Sequence, residues 1–336
     1  ALAGRGWRTT FAMTEAGFAA VPGAALAGIG RVVLDGLERL GCERDVDRLV
    51  ACLGERGADL LVVDHYGLDH RFEAACRPFV RHLAVVDDLG NREHDADLLL
   101  DQTFGRADRD YAPFVPPGCR LLCGSRYALL RPIFAQRRPD ALARRQGGGP
   151  VRRIQVAFGA TDPDDLTSVA LDALEIAARR VAHPWAIDVV LGASAPHLYA
   201  VRRRLEAVPN ACLHIDADGA AVAALMVSAD LALGAGGTTS WERCCLGLPS
   251  LVVVTAANQA TIAANLEAAG ASRTVGAGET VDACGLAAAI GMLCDDTALR
   301  SRMSRSAAAV CDGAGTTRTA AAIEGLVRRS GVRTAR

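Results

Sequence analysis

Short runs of apolar residues alternate along the chain with longer stretches in which apolar residues recur every three or four positions. The short runs predict buried β-strands, and the periodic stretches predict amphipathic α-helices. The predicted strands are Thr9–Met13, Asp59–Val63, His82–Val86, Asp97–Leu100, Cys119–Cys123, Arg153–Phe158, Trp185–Leu191, Ala211–His214, Ala229–Leu233, Leu251–Val254 and Ser272–Val275. The predicted helices are Asp164–Arg180, Pro196–Ala207, Ala220–Ser228, Ala260–Ala269, Ala287–Cys294, Thr297–Val310 and Thr317–Arg328.

Strand–helix alternation in both halves predicts an α/β protein with two Rossmann-like parallel-sheet domains. The segment 141–150 holds arginines, three consecutive glycines and a proline, and this composition predicts a linker. The predicted domains are therefore 1–140 and 151–330. Ligands of parallel sheets bind beyond the carboxyl ends of the strands, and we expect these ends to face one another across a cleft. The pattern leaves open whether the last helix packs on the first domain or lies on the surface.

The composition narrows the function classes. The length of 336 residues favours about two domains, and 51% hydrophobic residues suffice for two cores. A net charge of −1 without a basic block argues against nucleic acid as a partner. No apolar run reaches the length of a membrane span, and the first residues lack a signal-peptide layout. We therefore expect a cytoplasmic protein without a membrane partner. Its oligomeric state is left open.

Cysteine and lysine usage limits the chemistry further. The 11 cysteines are scattered without a Cys-x-x-Cys pair, which argues against a zinc site or a disulfide framework and for reduced thiols. The sequence contains no lysine, so a lysine Schiff base and a P-loop lysine are excluded. Asp87-Asp88 is the nearest candidate for a metal site, but paired acids with no further oxygen ligands are more typical of structure. We expect no cofactor and no metal.

A glycine-rich turn is the most informative segment. The predicted strand Ala229–Leu233 is followed by three glycines within residues 234–237. Hydroxyl residues and a glutamate then open the next predicted helix. Backbone N–H groups can approach an anion there, and the helix start adds partial positive charge. The hydroxyls can cap the helix or bind phosphate oxygens, and the glutamate could accept ribose hydroxyls. The competing interpretation is a tight turn with capping hydroxyls. The residues concerned are Gly234, Gly236, Gly237, Thr238, Thr239, Ser240 and Glu242.

Polar clusters follow five other predicted strands at their carboxyl ends. Each alone is typical of a loop or a helix cap, but together with the glycine-rich turn they favour a binding site. The clusters are Asp64-His65-Tyr66, Asp87-Asp88, Asp101-Gln102, Gly159-Ala160-Thr161-Asp162-Pro163 and Asn258-Gln259.

These segments carry a family resemblance. The second half resembles the nucleotide-binding domain of GT-B glycosyltransferases. The whole chain more closely resembles the UDP-sugar hydrolases of pseudaminic acid biosynthesis, a pathway linked to flagellin glycosylation. The Asp-His-Tyr and Arg-Tyr-Ala-Leu-Leu-Arg-Pro segments are the more specific ones. The matching segments are 62–69, 85–89, 97–102, 126–132, 158–163, 234–244 and 258–259.

The resemblance implies a reaction and a set of roles. A UDP-linked diacetamido-trideoxy sugar would be hydrolysed at its anomeric carbon, releasing UDP and free sugar. Residues 236–239 would hold the diphosphate, Glu242 the ribose, and the backbone near Val222 the uracil. The other implied contacts are Gly159, Thr161 and Asp162 beside the phosphates, Asn258 and Gln259 at the sugar or β-phosphate, and Asp64, Tyr66 and Arg131 from the first domain around the sugar.

One departure from the family pattern concerns the general base. The family's histidine lies in a Gly-x-Gly-His-x-x-Arg loop after the first strand, and no Gly-x-Gly-His occurs in this sequence. Gly28-Ile29-Gly30 is followed by Arg31 and predicts only a loop. We expect that the first strand and its loop are missing. Strands flanking the gap would then be left unpaired or forced to pair directly, and either outcome would lower stability. His65 is the nearest substitute base, with a strand-end capping role as its alternative.

Three other functions share these features. A GT-B glycosyltransferase would use the same nucleotide site but pass the sugar to an acceptor. A sugar-nucleotide-binding module would bind without turnover, as expected if the base is missing. A UDP-sugar 2-epimerase would need several pocket acids and a histidine that the sequence does not place.

Overall fold

The computed structural model describes residues 1–19, 21, 26–34, 43–53, 57–179 and 185–331. The chain divides into two compact units, one formed by Ala1–Tyr127 with Thr316–Arg336 and the other by Ala128–Gly315. Among the described helices, none combines the length and the apolar character that a membrane crossing requires.

The described residues of the first unit form six short strands in two separate parallel sheets, ordered β1-β2 and β3-β4-β5-β6. The strands are β1 (Thr10–Met13), β2 (Gly30–Val33), β3 (Leu61–Asp64), β4 (Leu83–Val86), β5 (Leu98–Asp101) and β6 (Arg120–Cys123). The helices are α1 (Glu15–Ala19), α2 (Glu43–Leu53), α3 (His70–Cys76) and α4 (Asp108–Tyr111).

The second unit holds one six-stranded parallel sheet, ordered β12-β11-β10-β7-β8-β9. Its strands are β7 (Arg153–Ala157), β8 (Ala186–Leu191), β9 (Ala211–Ile215), β10 (Leu231–Ala235), β11 (Ser250–Val254) and β12 (Arg273–Ala277). The helices are α5 (Pro132–Gln146), α6 (Leu166–Ala178), α7 (Leu198–Leu205), α8 (Gly219–Ser228), α9 (Thr239–Cys245), α10 (Gln259–Ala268), α11 (Ala283–Asp295) and α12 (Thr297–Val310). A last helix, α13 (Gly315–Gly331), follows.

The predicted linker 141–150 does not separate the units. Helix α5 continues to Gln146, because residues 141–146 are mostly alanine, leucine, arginine and glutamine, which all favour helix. The chain passes between the units at Tyr127–Ala128 and again at Gly315–Thr316. The segment 141–150 therefore lies within the second unit. Residue 180, the predicted end of α6, lies outside the described residues.

Strand β2 is an element that the hydrophobic pattern missed. Gly28 adopts a left-handed φ of 74°, as a turn requires, but Gly30 already begins the strand, so Gly28–Gly30 is only partly a loop. Strand β2 is half apolar and mostly exposed, so it lacks the continuous apolar run of a buried strand. A side chain at position 30 would lie 2.6 Å from Thr10 Oγ1, which explains the glycine beside β1.

Buried aliphatic side chains form the core of the second unit on its sheet. Most residues of β8, β10 and β11 are valine, leucine, isoleucine or alanine, and three of the five residues of β7 are, as in parallel sheets covered on both faces. Successive strands run from β7 to β9 in one direction and from β10 to β12 in the other. The strand order reverses between β7 and β10, and ligands of such sheets bind at the carboxyl ends of the strands at this point.

The first unit has a smaller core, and the C-terminal helix contributes to it. Ala322 and Ile323 of α13 belong to one apolar cluster with Leu98, Leu100 and Leu122 of the four-stranded sheet. The structure thereby assigns the last helix, whose place the sequence left open, to the first unit.

Candidate functional site

The glycine-rich turn joins β10 to α9 at the strand-order reversal, as the sequence predicted for a strand, a turn and a helix. The Gly236 N–H donates to Val253 O at 3.1 Å and also lies 3.1 Å from Gln259 Oε1. This amide is therefore engaged by protein groups, contrary to the prediction that it faces a ligand. The N–H groups of Gly237, Thr238 and Thr239 donate no hydrogen bond to any described residue. The turn thus offers three neighbouring amide donors.

Space, rather than backbone conformation, requires glycine at the end of β10. A Cβ on Gly234 would lie 2.5 Å from Arg243 Nη1 and 2.7 Å from Ala157 O. A Cβ on Gly236 would lie 3.3 Å from Gln259 Cβ, which is a tight contact. Side chains at these positions would displace the groups that support the turn.

Gln259 ties the turn to the end of β11. Its Oε1 accepts hydrogen bonds from Gly236 N, Thr255 N and Thr255 Oγ1 at 3.1, 3.1 and 3.0 Å. The sequence predicted that Gln259 reaches a sugar or phosphate, but its carbonyl oxygen is committed to the protein. Asn258 is exposed directly before α10.

Glu242 brings a half-buried carboxyl to the first turn of α9. Burial raises its pKa from 4.5 to about 7, although the positive charges of Arg131 and Arg243 favour its ionised form. Near neutral pH this carboxyl therefore exchanges between a proton donor and a charged acceptor. The ionised form offers both carboxylate oxygens as acceptors, one for each hydroxyl of a ribose.

The sequence predicted Arg131 in the first domain, and this placement is wrong because Arg131 belongs to the second unit. It directly precedes α5, which packs against α8 and α9 and so fixes the start of the helix near Glu242. A Cβ on Gly219 would lie 2.5 Å from Arg131 Cδ. The missing side chain at the start of α8 therefore makes room for Arg131.

Val222 lies in the first turns of α8, half-buried. Its N–H donates to Asp218 O at 2.9 Å, and the Asp218 side chain caps the helix by accepting from Ala221 N. The Val222 amide is therefore used within the helix. Its predicted place beside the uracil depends on other atoms.

The loop after β7 is adjacent to the glycine-rich turn through the pairing of β7 with β10. Gly159 has a left-handed φ of 114° and, like Thr161, is exposed. Asp162 is 4% exposed, and its carboxylate accepts from Leu166 N and Thr167 N at 3.1 and 2.8 Å. The sequence predicted Asp162 beside the phosphates of the ligand. In the structure its carboxylate oxygens instead cap the start of α6.

The first unit gathers its polar residues at the carboxyl ends of β3 and β4. Asp64 ends β3, and the Tyr66 hydroxyl donates to Asp88 Oδ2 at 3.2 Å. Tyr66 is 57% exposed. His65 Nδ1 accepts from Gly67 N at 2.9 Å, a bond that supports the capping interpretation of this histidine. Asp88, from the predicted polar cluster Asp87-Asp88, is thereby joined to the predicted cluster Asp64-His65-Tyr66.

A buried acid network lies below these residues. The Tyr111 hydroxyl lies 2.8 Å from Asp87 Oδ2 and 3.0 Å from Asp101 Oδ2. Arg92 pairs with Asp87 and Arg106 with Asp101, each at 2.6 Å. These acids are therefore charge-compensated and structural. Among the described residues, no group of three or more histidine, cysteine, aspartate or glutamate side chains could hold a metal ion.

Relatives in sequence are distant. No family model matches the chain. It is 29% identical over 235 residues to the spore coat polysaccharide biosynthesis protein SpsG of Bacillus subtilis, covering 69% of this chain and 65% of that protein. It is 32% identical over 90 residues to a UDP-2,4-diacetamido-2,4,6-trideoxy-β-L-altropyranose hydrolase of Campylobacter jejuni, covering 26% and 32% of the two chains. The chain thus spans less than two thirds of either relative.

Structural similarity extends over nearly the whole chain. MurG from Acinetobacter baumannii superimposes with a TM-score of 0.66 at 14% sequence identity, covering 96% of this chain and 93% of that one. The chain therefore has the GT-B glycosyltransferase fold, with parallel-sheet α/β domains. This confirms the fold class predicted from the alternation of strands and helices.

Proposed function

We propose that this protein is a sugar-nucleotide-utilising GT-B enzyme. It binds a UDP-sugar at the carboxyl ends of the strands in the six-stranded sheet of the second unit. The observation that carries the proposal is the row of three N–H groups at Gly237, Thr238 and Thr239, which donate to no described residue. They lie at the strand-order reversal, in the turn that leads into the helix of Glu242. An oxyanion satisfies such donors, and a carboxylate suits vicinal hydroxyls.

The proposed contacts follow from this arrangement. The diphosphate accepts from the three amides and from the Thr238 and Thr239 hydroxyls, while Gly236 keeps the turn free of a side chain. The ribose donates to ionised Glu242, and the uracil lies at the start of α8 near Val222. The sugar or β-phosphate lies by Gly159, Thr161, Asn258 and the Gln259 amide nitrogen, with Arg131 supplying positive charge.

The proposed reaction is hydrolysis at the anomeric carbon. Water adds to that carbon and gives one proton to a general base. The bond from that carbon to the β-phosphate oxygen breaks, and UDP leaves with its new charge stabilised by the turn amides. The resemblance to the Campylobacter hydrolase supports a diacetamido-trideoxy sugar and a role in pseudaminic acid biosynthesis. Asp64 and Tyr66 of the first unit stay predicted sugar contacts, and His65 stays a candidate base.

Calorimetric titration with UDP tests the nucleotide site. We expect saturable binding to the wild-type protein and affinity at least about tenfold weaker in T238V/T239V, because two hydroxyl donors to the diphosphate are lost. Thr280→Val removes an exposed hydroxyl elsewhere in the same unit and should leave affinity unchanged. Absence of binding by folded wild-type protein would refute the proposal.

Turnover without an acceptor tests the reaction. Incubation with the UDP-linked diacetamido-trideoxy sugar should release UDP and free sugar in equal amounts. Turnover only after an acceptor is added would indicate a glycosyltransferase, and an epimerised UDP-sugar would indicate an epimerase. Either result would contradict hydrolysis as the proposed reaction.

A binding module without catalysis is the second candidate. It is favoured by one observation: Nδ1 of His65, the candidate base, already accepts a hydrogen bond from Gly67 N at 2.9 Å. Tight UDP binding with no release of sugar from any UDP-sugar offered would establish it.

A further inference from the structure

Arg243 is a buried cation in α9, directly behind the glycine-rich turn. It is 3% exposed, and its Nη2 donates to Ala235 O at 2.6 Å and to Ser240 Oγ at 3.0 Å. Its Nη1 occupies the space that a side chain at Gly234 would need. The guanidinium therefore contacts both the strand before the turn and the helix after it.

The charge of Arg243 has no close acidic partner. Within the part of the chain that the structure describes, no carboxylate oxygen lies within 4.0 Å of its guanidinium, whereas Arg106 and Arg92 each pair with a buried aspartate at 2.6 Å. Burial lowers the pKa of Arg243, because the charged form loses water and the more distant charges of Cys244 and Glu242 offset that loss only in part. A buried cation without a counter-ion is costly, and an anion bound nearby would offset that cost.

We propose that Arg243 is a positioning residue that supplies buried positive charge to the diphosphate site. The negative charge of the bound diphosphate then compensates the charge of Arg243. The inference rests on the proposed function, because the turn that Arg243 supports is the proposed diphosphate site. Arg243 does not touch the ligand. It fixes the Ala235 carbonyl and the Ser240 hydroxyl on either side of the donor amides, and its field acts through a poorly solvated region where electrostatic interactions are strong.

The competing explanation is that Arg243 only fills space and holds the turn. The two explanations differ in their dependence on ligand charge. A purely structural residue affects every ligand of the site alike, whereas a charge-supplying residue affects UDP more than UMP and uridine least.

Binding of UDP, UMP and uridine to R243Q and R243K separates the two explanations. Gln keeps an amide donor for the Ala235 carbonyl but removes the charge, and Lys keeps the charge. We expect UDP affinity at least about tenfold weaker in R243Q, with uridine affinity changed by less than about twofold. R243K should retain the wild-type ratio of UDP to uridine affinity within about twofold. The salt dependence of UDP binding should also be shallower in R243Q.

Arg300 provides the matched control. It is 7% exposed in the same unit and donates to backbone carbonyls, including Cys294 O, away from the turn. R300Q should leave the ratio of UDP to uridine affinity unchanged. Equal losses for UDP and uridine in R243Q, or no loss, would overturn the inference. If R243Q does not fold, a ratio of UDP to uridine affinity in folded R243K that is lower than in the wild type would overturn the inference. Failure of the wild-type protein to bind UDP would instead refute the proposed function.

Discussion

Adjacent residues of α9 show how surroundings decide the role of a charge. Glu242 and Arg243 are neighbours in sequence, and burial disfavours the ionised form of both. The half-buried Glu242 reaches partial ionisation near neutral pH, where a ligand hydroxyl can select its charged form. The guanidinium of Arg243 is almost fully enclosed by protein. The same helix thus carries a proposed ligand contact and a proposed internal charge.

Glu242 predicts a pH dependence of stability. Between pH 4.5 and about 7 the unfolded chain releases this proton while the folded unit keeps it, so the free energy of unfolding falls as pH rises. Because glutamine does not titrate, the free energy of unfolding of E242Q lacks this fall with rising pH. We expect its stability advantage over the wild type to grow from near zero at about pH 4 to about 3 kcal/mol at about pH 8.

Denaturant unfolding in a Trp7→Phe background measures this difference, because Trp185 and Trp241 then both report on the second unit. Glu267→Gln, at an exposed position of α10, should show no such trend. A constant difference between E242Q and the wild type across this pH range would contradict the assignment.

Tyr111 predicts a stability effect in the first unit. Burial opposes ionisation of Asp87, but hydrogen bonds from Gly90 N–H and the Tyr111 hydroxyl hold the pKa of Asp87 below 3.8. Stability from Asp87 is therefore present above pH 3.8 and lost as pH falls further. Tyr111→Phe should destabilise this unit by about 1–3 kcal/mol at neutral pH, because it leaves buried carboxylates short of a donor.

Hydrogen exchange of the β4 and β5 amides measures this loss. Tyr127→Phe is the control, because the hydroxyl that it removes donates no hydrogen bond to any described residue. Equal protection of the β4 and β5 amides in both variants would show that the Tyr111 hydroxyl contributes nothing.

At the scale of elements, hydrogen bonds to the Gln259 side chain connect the two neighbouring loops of the candidate site. Gln259 at the start of α10 accepts from the turn after β10 and from the end of β11. The parallel pairing of these strands brings their carboxyl ends together, and one side chain then fixes the distance between them. The turn is thus shaped by tertiary contacts as much as by its glycines.

Gln259→Leu tests this support. The change leaves the Thr255 and Gly236 donors without the Gln259 oxygen, so we expect a lower thermal midpoint and UDP affinity weaker by about tenfold. Thr255→Val removes only one of the three donors and should have a clearly smaller effect on both quantities. Calorimetry and thermal unfolding of both variants measure this order, and an equal or reversed order would contradict it.

For the whole molecule, the two units differ in how well their strands are covered. Among the described residues, β1 and β2 pair only with each other, in parallel, and β1 does not pair with β3. Phe11, Val33 and Val62 on these strands are 38%, 42% and 45% exposed. Two-stranded sheets alone are marginally stable in water.

Hydrogen–deuterium exchange across the chain tests this contrast. Amides of β1 and β2 should exchange at least about tenfold faster than those of β7 and β10, which pair on both sides in a buried sheet. Uniform protection of the two units would show that the exposed strands are stabilised by contacts outside the described residues.

Much of the fold was predictable because a parallel sheet buried on both faces leaves continuous apolar runs in the sequence. The strands β1 and β3–β12 and the helices α6–α13 were located to within a few residues. Strand β2 was missed because it is exposed and half apolar. The linker prediction failed because the glycines of 147–149 end a helix rather than separate two units.

The sequence by itself determined the two alternating series of strands and helices, and it placed glycines, hydroxyls and Glu242 at one strand–helix junction. Only the tertiary structure decided which of these groups are available. Asp162, Gln259 Oε1 and the Gly236 amide are engaged by protein partners, and Arg131 is brought beside Glu242 from a distant part of the chain. The physical reason is that availability depends on hydrogen-bond partners and burial, which arise from contacts between residues far apart in sequence.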